Sequence, residues 1–185
     1  DVERAGRSSA ATLARLRAAG VDTVLACASG CFGDLRDHVV AGSGIAAGEI
    51  HAFLDADPAL QRLAFRPLAR RAALHLPCTQ VNVAGALPAI RRLLARIPGL
   101  DVVELPAQPR CCGAAGSYFL EHAAIADRLR DEKLAQANAL APDLLLTTNS
   151  GCRMHLGSGL RQAATPLPVL HPLALLARQL DNPAA

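Results

Sequence analysis

The sequence predicts an α/β fold in which helices flank a mainly parallel sheet. Short apolar runs, such as residues 144–146, alternate along the chain with longer helical patterns, and glycine or proline separates many of these segments. One strand-to-cysteine segment also occurs twice. Short buried strands separated by helices are typical of parallel sheets, because a parallel pair needs a long crossover connection. The 185 residues suffice for one domain or two small lobes.

The predicted elements alternate in type along most of the chain. Helices are expected at residues 8–19, 45–54, 87–97, 117–138 and 172–180, and strands at 21–26, 72–76, 102–105 and 144–148. The helix at 117–138 has the clearest amphipathic pattern. The face expected to pack on the core consists of Tyr118, His122, Ile125, Ala126 and Leu129.

An internal repeat relates residues 22–31 to residues 143–152. The two segments align without gaps and share five of ten positions, at Asp22/Asp143, Leu25/Leu146, Ser29/Ser150, Gly30/Gly151 and Cys31/Cys152. The offset of 121 residues is too long for a solenoid, so it predicts pseudo-duplicated halves. Because the counterpart of Cys78 would precede residue 1, the first half is expected to be truncated. Residues 1–60 would form the tail of a first unit, and residues 61–185 a complete second unit.

Composition excludes several classes of protein. Hydrophobic residues make up 51% of the chain and charged residues 19%, which predicts a compact fold rather than disorder. A net charge of +3 and an aromatic content of 3% disfavour nucleic-acid binding. No apolar stretch approaches the ~20 residues of a transmembrane helix. The chain begins at Asp1 rather than Met, which is typical of a fragment or a processed product.

Six cysteines could form disulfides or bind a metal. Cys111 and Cys112 are adjacent and do not easily bridge each other, which favours the reduced, metal-binding alternative. Cys78, the adjacent pair and Cys152 each follow a predicted strand, and the carboxyl ends of parallel strands meet at one edge of a sheet. We therefore expect these four thiols to converge on one metal centre.

The spacing of the cysteines bears on the kind of metal. Zinc sites usually take ligand pairs spaced C-x₂₋₄-C, and two adjacent thiolates suit a cluster of several metal atoms better. The ferredoxin run C-x₂-C-x₂-C-x₃-C-P is absent. Gly113, Gly116 and Gly151 would allow close approach of backbone N–H donors to sulfur.

Other residues near the cysteines have less certain roles by sequence alone. His75 and His155 lie three residues from Cys78 and Cys152, and each is either a ligand or hydrogen-bond donor of the site or a structural histidine. Cys31 is expected to belong to a second, truncated site away from the first. Cys27 has no cysteine counterpart in the second copy and is expected to be a core thiol.

Three segments resemble the cysteine-rich CCG domain, which occurs twice in the iron–sulfur subunit of glycolate oxidase and in the corresponding component of heterodisulfide reductase. They are Pro77-Cys78, Cys111-Cys112-Gly113-Ala114-Ala115-Gly116 and Asn149-Ser150-Gly151-Cys152. The resemblance implies metal ligands at Cys78, Cys111, Cys112 and Cys152, and cofactor contacts at Gly113, Gly116, Asn149, Ser150 and Gly151. The family has a further cysteine where this chain has Asn149. The implied cofactor is an iron–sulfur cluster of the 4Fe–4S type, with zinc as the alternative.

The same resemblance, closest to glycolate oxidase, implies a non-catalytic electron-transfer subunit. It would pass electrons from a flavin-containing dehydrogenase subunit, which oxidises a 2-hydroxy acid, toward a quinone-linked acceptor. A ferredoxin-like N-terminal region of the same subunit, absent from this chain, would be a further partner. The implied location is cytoplasmic, or peripheral at the inner face of the membrane through partners. The alternatives are a structural zinc-binding docking module and a cluster-based disulfide reductase subunit.

Overall fold

The computed structural model describes residues 2–106 and 111–180, in which helices and strands alternate along most of the chain. The helices are α1 Val2–Ala18, α2 Ser29–Asp34, α3 Ile50–Ala56, α4 Pro58–Gln61, α5 Leu87–Ala95, α6 Tyr118–Glu121, α7 Ala123–Ala139, α8 Ser150–Gln162 and α9 Pro172–Gln179. The strands are β1 Thr23–Ala26, β2 Ala46–Glu49, β3 Arg70–His75, β4 Leu100–Glu104, β5 Leu144–Thr147 and β6 Val169–Leu170. Single π-helical turns, Leu35–Val39 and Gln80–Ala84, follow α2 and β3.

Every strand pair in the two sheets is parallel, which confirms the predicted α/β class. The larger sheet has the order β4-β3-β5-β6, so β3 and β5 are its central strands. In the register of this sheet Ala72 lies opposite both Val102 and Leu144. Strands β1 and β2 form a separate two-stranded sheet. The carboxyl ends of β3, β4 and β5 therefore lie side by side at one edge.

The larger sheet is covered by helices on both faces, and side-chain alternation along β3 and β5 decides which residue meets which layer. Leu74 and Leu146 pack against α5 and α9, in a core that includes Ile90, Leu93 and Leu176. The other face is formed by Ala73 and Leu145, which pack with the residues Leu134, Ala137, Leu156 and Leu160 of α7 and α8. Cys112 and Cys152 belong to this second core. By the same alternation, His75 shares its face with Ala73.

Three predicted elements differ from the structure. Residues 46–49, predicted to be helical, form β2, which pairs with β1 before α3 begins at Ile50. The helix α8 and the short strand β6 were not predicted. The sequence of α8 contains three glycines, which weaken the helical pattern. Its stability comes instead from Leu156 and Leu160, which are buried against the sheet.

The helix predicted at 117–138 is interrupted, and its packed face was predicted wrongly. His122 leaves the helical conformation, with φ −128° and ψ 51°, and separates α6 from α7. Ile125 is exposed, whereas the buried side chains of α7 are Ala126, Arg130, Lys133, Leu134 and Ala137. The break rotates the helix, so the angular pattern of an unbroken helix does not apply.

The two repeated segments have the same local geometry. Ala28 precedes α2 with φ −116° and ψ 122°, and Asn149 precedes α8 with φ −116° and ψ 125°. Each segment leads from a strand into a helix and then to a parallel neighbouring strand. Duplication of the halves and the division at residue 60 stay predictions. No helix within residues 2–106 and 111–180 combines the length and hydropathy needed to span a membrane.

Candidate metal centre

Four cysteines meet at the carboxyl edge of the larger sheet. Cys78 follows β3 by three residues, Cys111 and Cys112 follow β4 in a loop, and Cys152 lies in the first turn of α8, just after β5. The thiols of Cys78 and Cys111 act on the pKa of Cys152, so all four sulfur groups share one electrostatic environment. All six cysteines of the chain are free of disulfides. The structure thus brings together the four residues that the sequence predicted.

The four thiols divide into a buried pair and a more accessible pair. The Sγ atoms of Cys112 and Cys152 are 2.7 Å apart, and both residues are buried. Cys78 and Cys111 are half-buried. Burial is the main cause that raises the pKa of Cys111, and its hydrogen bond with Cys78 raises it further. The Sγ of Cys111 also accepts a hydrogen bond of 3.3 Å from the N–H of Gly113.

The buried pair shares a proton unequally. The pKa of Cys112 is lowered to about 7, chiefly because the Cys152 thiol donates a hydrogen bond to it, with further help from the Ala114 N–H and the charge of Lys133. The pKa of Cys152 is raised by the same hydrogen bond and by burial. Above about pH 7 the pair therefore contains one thiolate and one thiol. A preformed thiolate is the state in which cysteine binds metals.

Lys133 is a buried cation near this pair that the sequence analysis missed. Its side chain is fully buried in α7, and its Nζ lies 3.1 Å from Oε1 of Gln136. Its positive charge lowers the pKa values of both Cys112 and His75. The spacing of Ala126, Lys133 and Ala137 along α7 could have identified it only if the break at His122 had been known.

His75 lies beside the buried cysteine pair, at the end of β3. In the described part of the chain, a ring nitrogen of His75 and the sulfurs of Cys112 and Cys152 all lie within 4.8 Å of one another. The Nδ1 atom of His75 is 3.0 Å from Oγ1 of Thr147 on β5. Its Nε2 is buried and has no hydrogen-bond partner among the described residues. His155, in contrast, donates from Nε2 to the Ala126 carbonyl at 3.1 Å.

We expect the metal-free protein to lose stability as the pH falls from about 6.5 to about 5. Burial, and secondarily Lys133, lowers the pKa of His75 from 6.5 to about 3. In this range the unfolded chain binds a proton at His75 and the folded chain does not, so the free energy of unfolding should fall by about 1.4 kcal/mol per pH unit. Burial also lowers the pKa of His171, which adds to the slope with the same sign.

Urea denaturation at several pH values measures this slope. His75→Gln should make it shallower, because glutamine does not titrate. Identical slopes in the wild type and in His75→Gln would contradict the assignment.

The loop that carries the adjacent cysteines docks closely on α7. Gly113 has a φ of +90°, and a Cβ added there would clash with the carbonyl oxygen of Ala126 and lie 2.9 Å from its Cα. Gly116 also has a positive φ, of 56°, but a Cβ there would meet nothing within 4 Å. Gly113 is therefore required by packing as well as by conformation, and Gly116 by conformation alone.

Asn149 has a structural role at the start of α8. Its Oδ1 accepts hydrogen bonds from the N–H groups of Gly151, at 2.8 Å, and Cys152, at 3.2 Å. This N-cap fixes the first helical turn, which carries the Cys152 thiol. Gly151 lies near Asn149 Oδ1 and the Ala114 carbonyl. Cofactor contacts by Asn149, Ser150, Gly151, Gly113 and Gly116 stay predictions.

The first copy of the repeat packs against the second near this edge. Gly30 lies against the side-chain amide of Asn149, and Ser29 Oγ is 2.9 Å from Thr79 Oγ1. Cys31 is exposed, and its role in a second site stays a prediction. Cys27 is exposed as well, so the expectation of a core thiol was wrong. It follows the buried strand residue Ala26 and therefore points away from that core face.

Comparison with known proteins accounts for this arrangement. Residues 72–157, which contain all four clustered cysteines, match the family described as CCG, a cysteine-rich domain. This segment is a CCG domain. The CCG domain begins in β3 and ends in α8, so it includes the central strands of the larger sheet and the loop of the adjacent cysteines.

Curated relatives carry the name lactate utilization protein A. The chain is 32% identical over 115 residues to lactate utilization protein A 2 of Bacillus cereus (strain AH820), and equally to lactate utilization protein A 1 of Bacillus anthracis (strain CDC 684 / NRRL 3495). These alignments cover 62% of this chain and 48% of each relative. Lactate utilization protein A of Geobacillus sp. (strain WCH70) is 31% identical over 101 residues, or 55% of this chain and 42% of that protein. The chain thus spans about half the length of the curated relatives it matches.

Proposed function

We propose that the CCG domain of this chain binds an iron–sulfur cluster of the 4Fe–4S type through Cys78, Cys111, Cys112 and Cys152, and that the chain acts in electron transfer. The observation that carries the proposal is the convergence of the four thiols at one sheet edge, with a thiolate favoured at Cys112. Comparison with the CCG family and with lactate utilization proteins supports an oxidoreductase subunit.

The donor set fits such a centre. Thiolates are the ligands that iron–sulfur clusters require, and N–H donors to sulfur stabilise the cluster charge. The N–H of Gly113 already points at Cys111, and the Ala114 N–H supports the Cys112 thiolate. The buried Nε2 of His75, which has no partner among the described residues, also indicates space for a bound group beside the sulfurs.

The surrounding residues would control the electrical environment of the site. When bound, an iron–sulfur cluster supplies one-electron redox chemistry. Lys133 partly offsets the negative charge of the thiolates from the buried side. Leu145 and Leu156 exclude water from behind Cys112 and Cys152. The half-buried Cys78 and Cys111 lie nearer the surface, and we assign electron entry and exit to this side.

A flavin-containing dehydrogenase subunit is the proposed electron donor, and a quinone-linked carrier the proposed acceptor. The substrate of that partner would be a 2-hydroxy acid. The motif resemblance favours glycolate, whereas the printed names of the relatives favour lactate. Lactate and glycolate differ by one methyl group on the carbon that bears the hydroxyl, so the choice between them would be made in the flavin subunit.

A structural zinc site is the second candidate function. The close approach of His75 to Cys112 and Cys152, within 4.8 Å, resembles the ligand spacing of a single metal ion more than that of a cluster. In that case the chain would be a docking module without redox chemistry.

Metal analysis of the anaerobically purified protein distinguishes the two functions. We expect iron and acid-labile sulfide in comparable amounts, a broad visible absorption, an EPR signal on reduction, and reduction by the flavin partner when lactate or glycolate is added. An iron-free protein with stoichiometric zinc that still supports full hydroxy-acid oxidation would overturn the electron-transfer proposal.

A further inference from the structure

We propose that Nε2 of His75 is a protein ligand of the metal centre, in addition to the cysteine thiolates. The inference rests on the proposed function only in the identity of the metal, because the same nitrogen could bind iron or zinc. It concerns the protein's own donor set and is argued from the position of one side chain.

The imidazole of His75 is held in a fixed orientation by the sheet. In the register of β3 and β5, His75 lies directly opposite Thr147, and its Nδ1 is 3.0 Å from the hydroxyl of that residue. With Nδ1–H donating to Thr147 Oγ1, the lone pair of the ring is on Nε2. A hydrogen bond to the second ring nitrogen is the usual way in which proteins orient a metal-binding histidine.

The free nitrogen is buried where an unpaired polar atom is costly. His75 has no exposed surface, and its Nε2 finds no hydrogen-bond partner in residues 2–106 and 111–180. An unpaired buried polar group destabilises a fold by about 1–3 kcal/mol. A bond from Nε2 to a metal would remove this penalty. His155 and Asn149, also close to Cys152 in sequence, already use their side chains in hydrogen bonds to backbone groups.

The position of His75 matches that of the sulfurs. Its ring nitrogen lies within 4.8 Å of the Sγ atoms of both Cys112 and Cys152. Metal bonds to nitrogen and sulfur are ~2.0 and ~2.3 Å long, so donor atoms that share one metal ion are separated by less than about 4.5 Å. Small side-chain movements would therefore place the three donors around one metal atom.

Burial and the nearby Lys133 keep the imidazole neutral, which is the form that binds a metal. A neutral nitrogen in place of a thiolate leaves the centre with less negative charge. The reduced state, which carries one more electron, is then easier to form, and the reduction potential rises. His75 would thus influence the potential of the centre as well as its binding.

The test uses protein loaded with its metal and labelled with ¹⁵N at histidine. Pulsed EPR of the reduced centre should show a strongly coupled histidine nitrogen whose spectrum changes between ¹⁴N and ¹⁵N samples. X-ray absorption at the edge of the bound metal should show a nitrogen shell at ~2.0 Å beside sulfur at ~2.3 Å. Both measurements on the wild type are informative even if a His75 variant fails to fold.

Two variants assign the signal. His75→Gln should abolish the nitrogen coupling and weaken metal binding by about tenfold or more, since loss of even an outer-shell partner of a metal site weakens binding by about 10–100-fold. His155→Gln is the matched control and should keep the coupling, because His155 is buried near Cys152 but already bonded to Ala126.

Failure of this inference differs from failure of the proposed function. Iron and sulfide with no coupled histidine nitrogen and a sulfur-only metal shell would overturn the role of His75 and leave electron transfer in place. Zinc with one nitrogen and several sulfur ligands would support His75 as a ligand and overturn electron transfer. A coupling that persists in His75→Gln would also overturn the inference.

Discussion

Cys112→Ser is expected to abolish the metal centre while the α/β core stays folded. Serine retains the size of the side chain but removes the soft thiolate that iron and bridging sulfide require. Cys112 is the residue of the four whose thiolate the structure favours, through Cys152, the Ala114 N–H and Lys133. Bound iron should therefore fall below about a tenth of the wild-type amount. Cys111→Ser should also lose the cluster and electron transfer from the flavin partner.

The folded state should survive Cys112→Ser because the cores on both faces of the sheet contain many buried leucines that the change does not touch. Circular dichroism should thus be nearly unchanged while the visible absorption disappears. Cys27→Ser is the matched control, because Cys27 is exposed and lies outside the CCG domain. Retention of the full visible spectrum by Cys112→Ser would contradict the proposed ligand set.

Gly113→Ala should destabilise the protein by about 3 kcal/mol or more and impair metal binding. The new Cβ would collide with backbone atoms of Ala126 on α7, and alanine would also be strained at a φ of +90°. Backbone cannot move aside as a flexible side chain can, so the loop that carries Cys111 and Cys112 would be displaced from Cys152. Urea denaturation and metal content measure the two effects.

Gly116→Ala provides the matched control for this prediction. It lies three residues further along the same loop and also has a positive φ, of 56°, but its added Cβ would meet no atom within 4 Å. Only the conformational strain remains, about 1 kcal/mol, and metal content should be close to that of the wild type. Equal effects of the two substitutions would show that contact with α7 does not position the cysteine loop.

Local sequence patterns predicted the framework of this protein because they report short-range physics. Apolar strands such as 144–147 and the glycine or proline residues between segments identify a parallel α/β fold. Parallel strands place their carboxyl ends together, so cysteines after β3, β4 and β5 had to approach one another. The convergence of Cys78, Cys111, Cys112 and Cys152 follows from this topology.

Patterns also failed where packing overrides propensity. Residues 46–49 form a strand only because β1 lies beside them, and the glycine-rich α8 is helical because its leucines pack on the sheet and Asn149 caps it. The break at His122 changes which face of α7 is buried. None of these partners is close enough in sequence to enter a periodic pattern.

The sequence by itself determined the fold class, the four thiols and the edge of the sheet at which they meet. Only the tertiary structure decided the electrostatics of the site: which cysteine becomes the thiolate, that Lys133 lies near it, and that His75 points a free nitrogen beside it. These properties depend on burial and on distances between groups from different strands and helices. Sequence spacing contains neither quantity until the chain has folded.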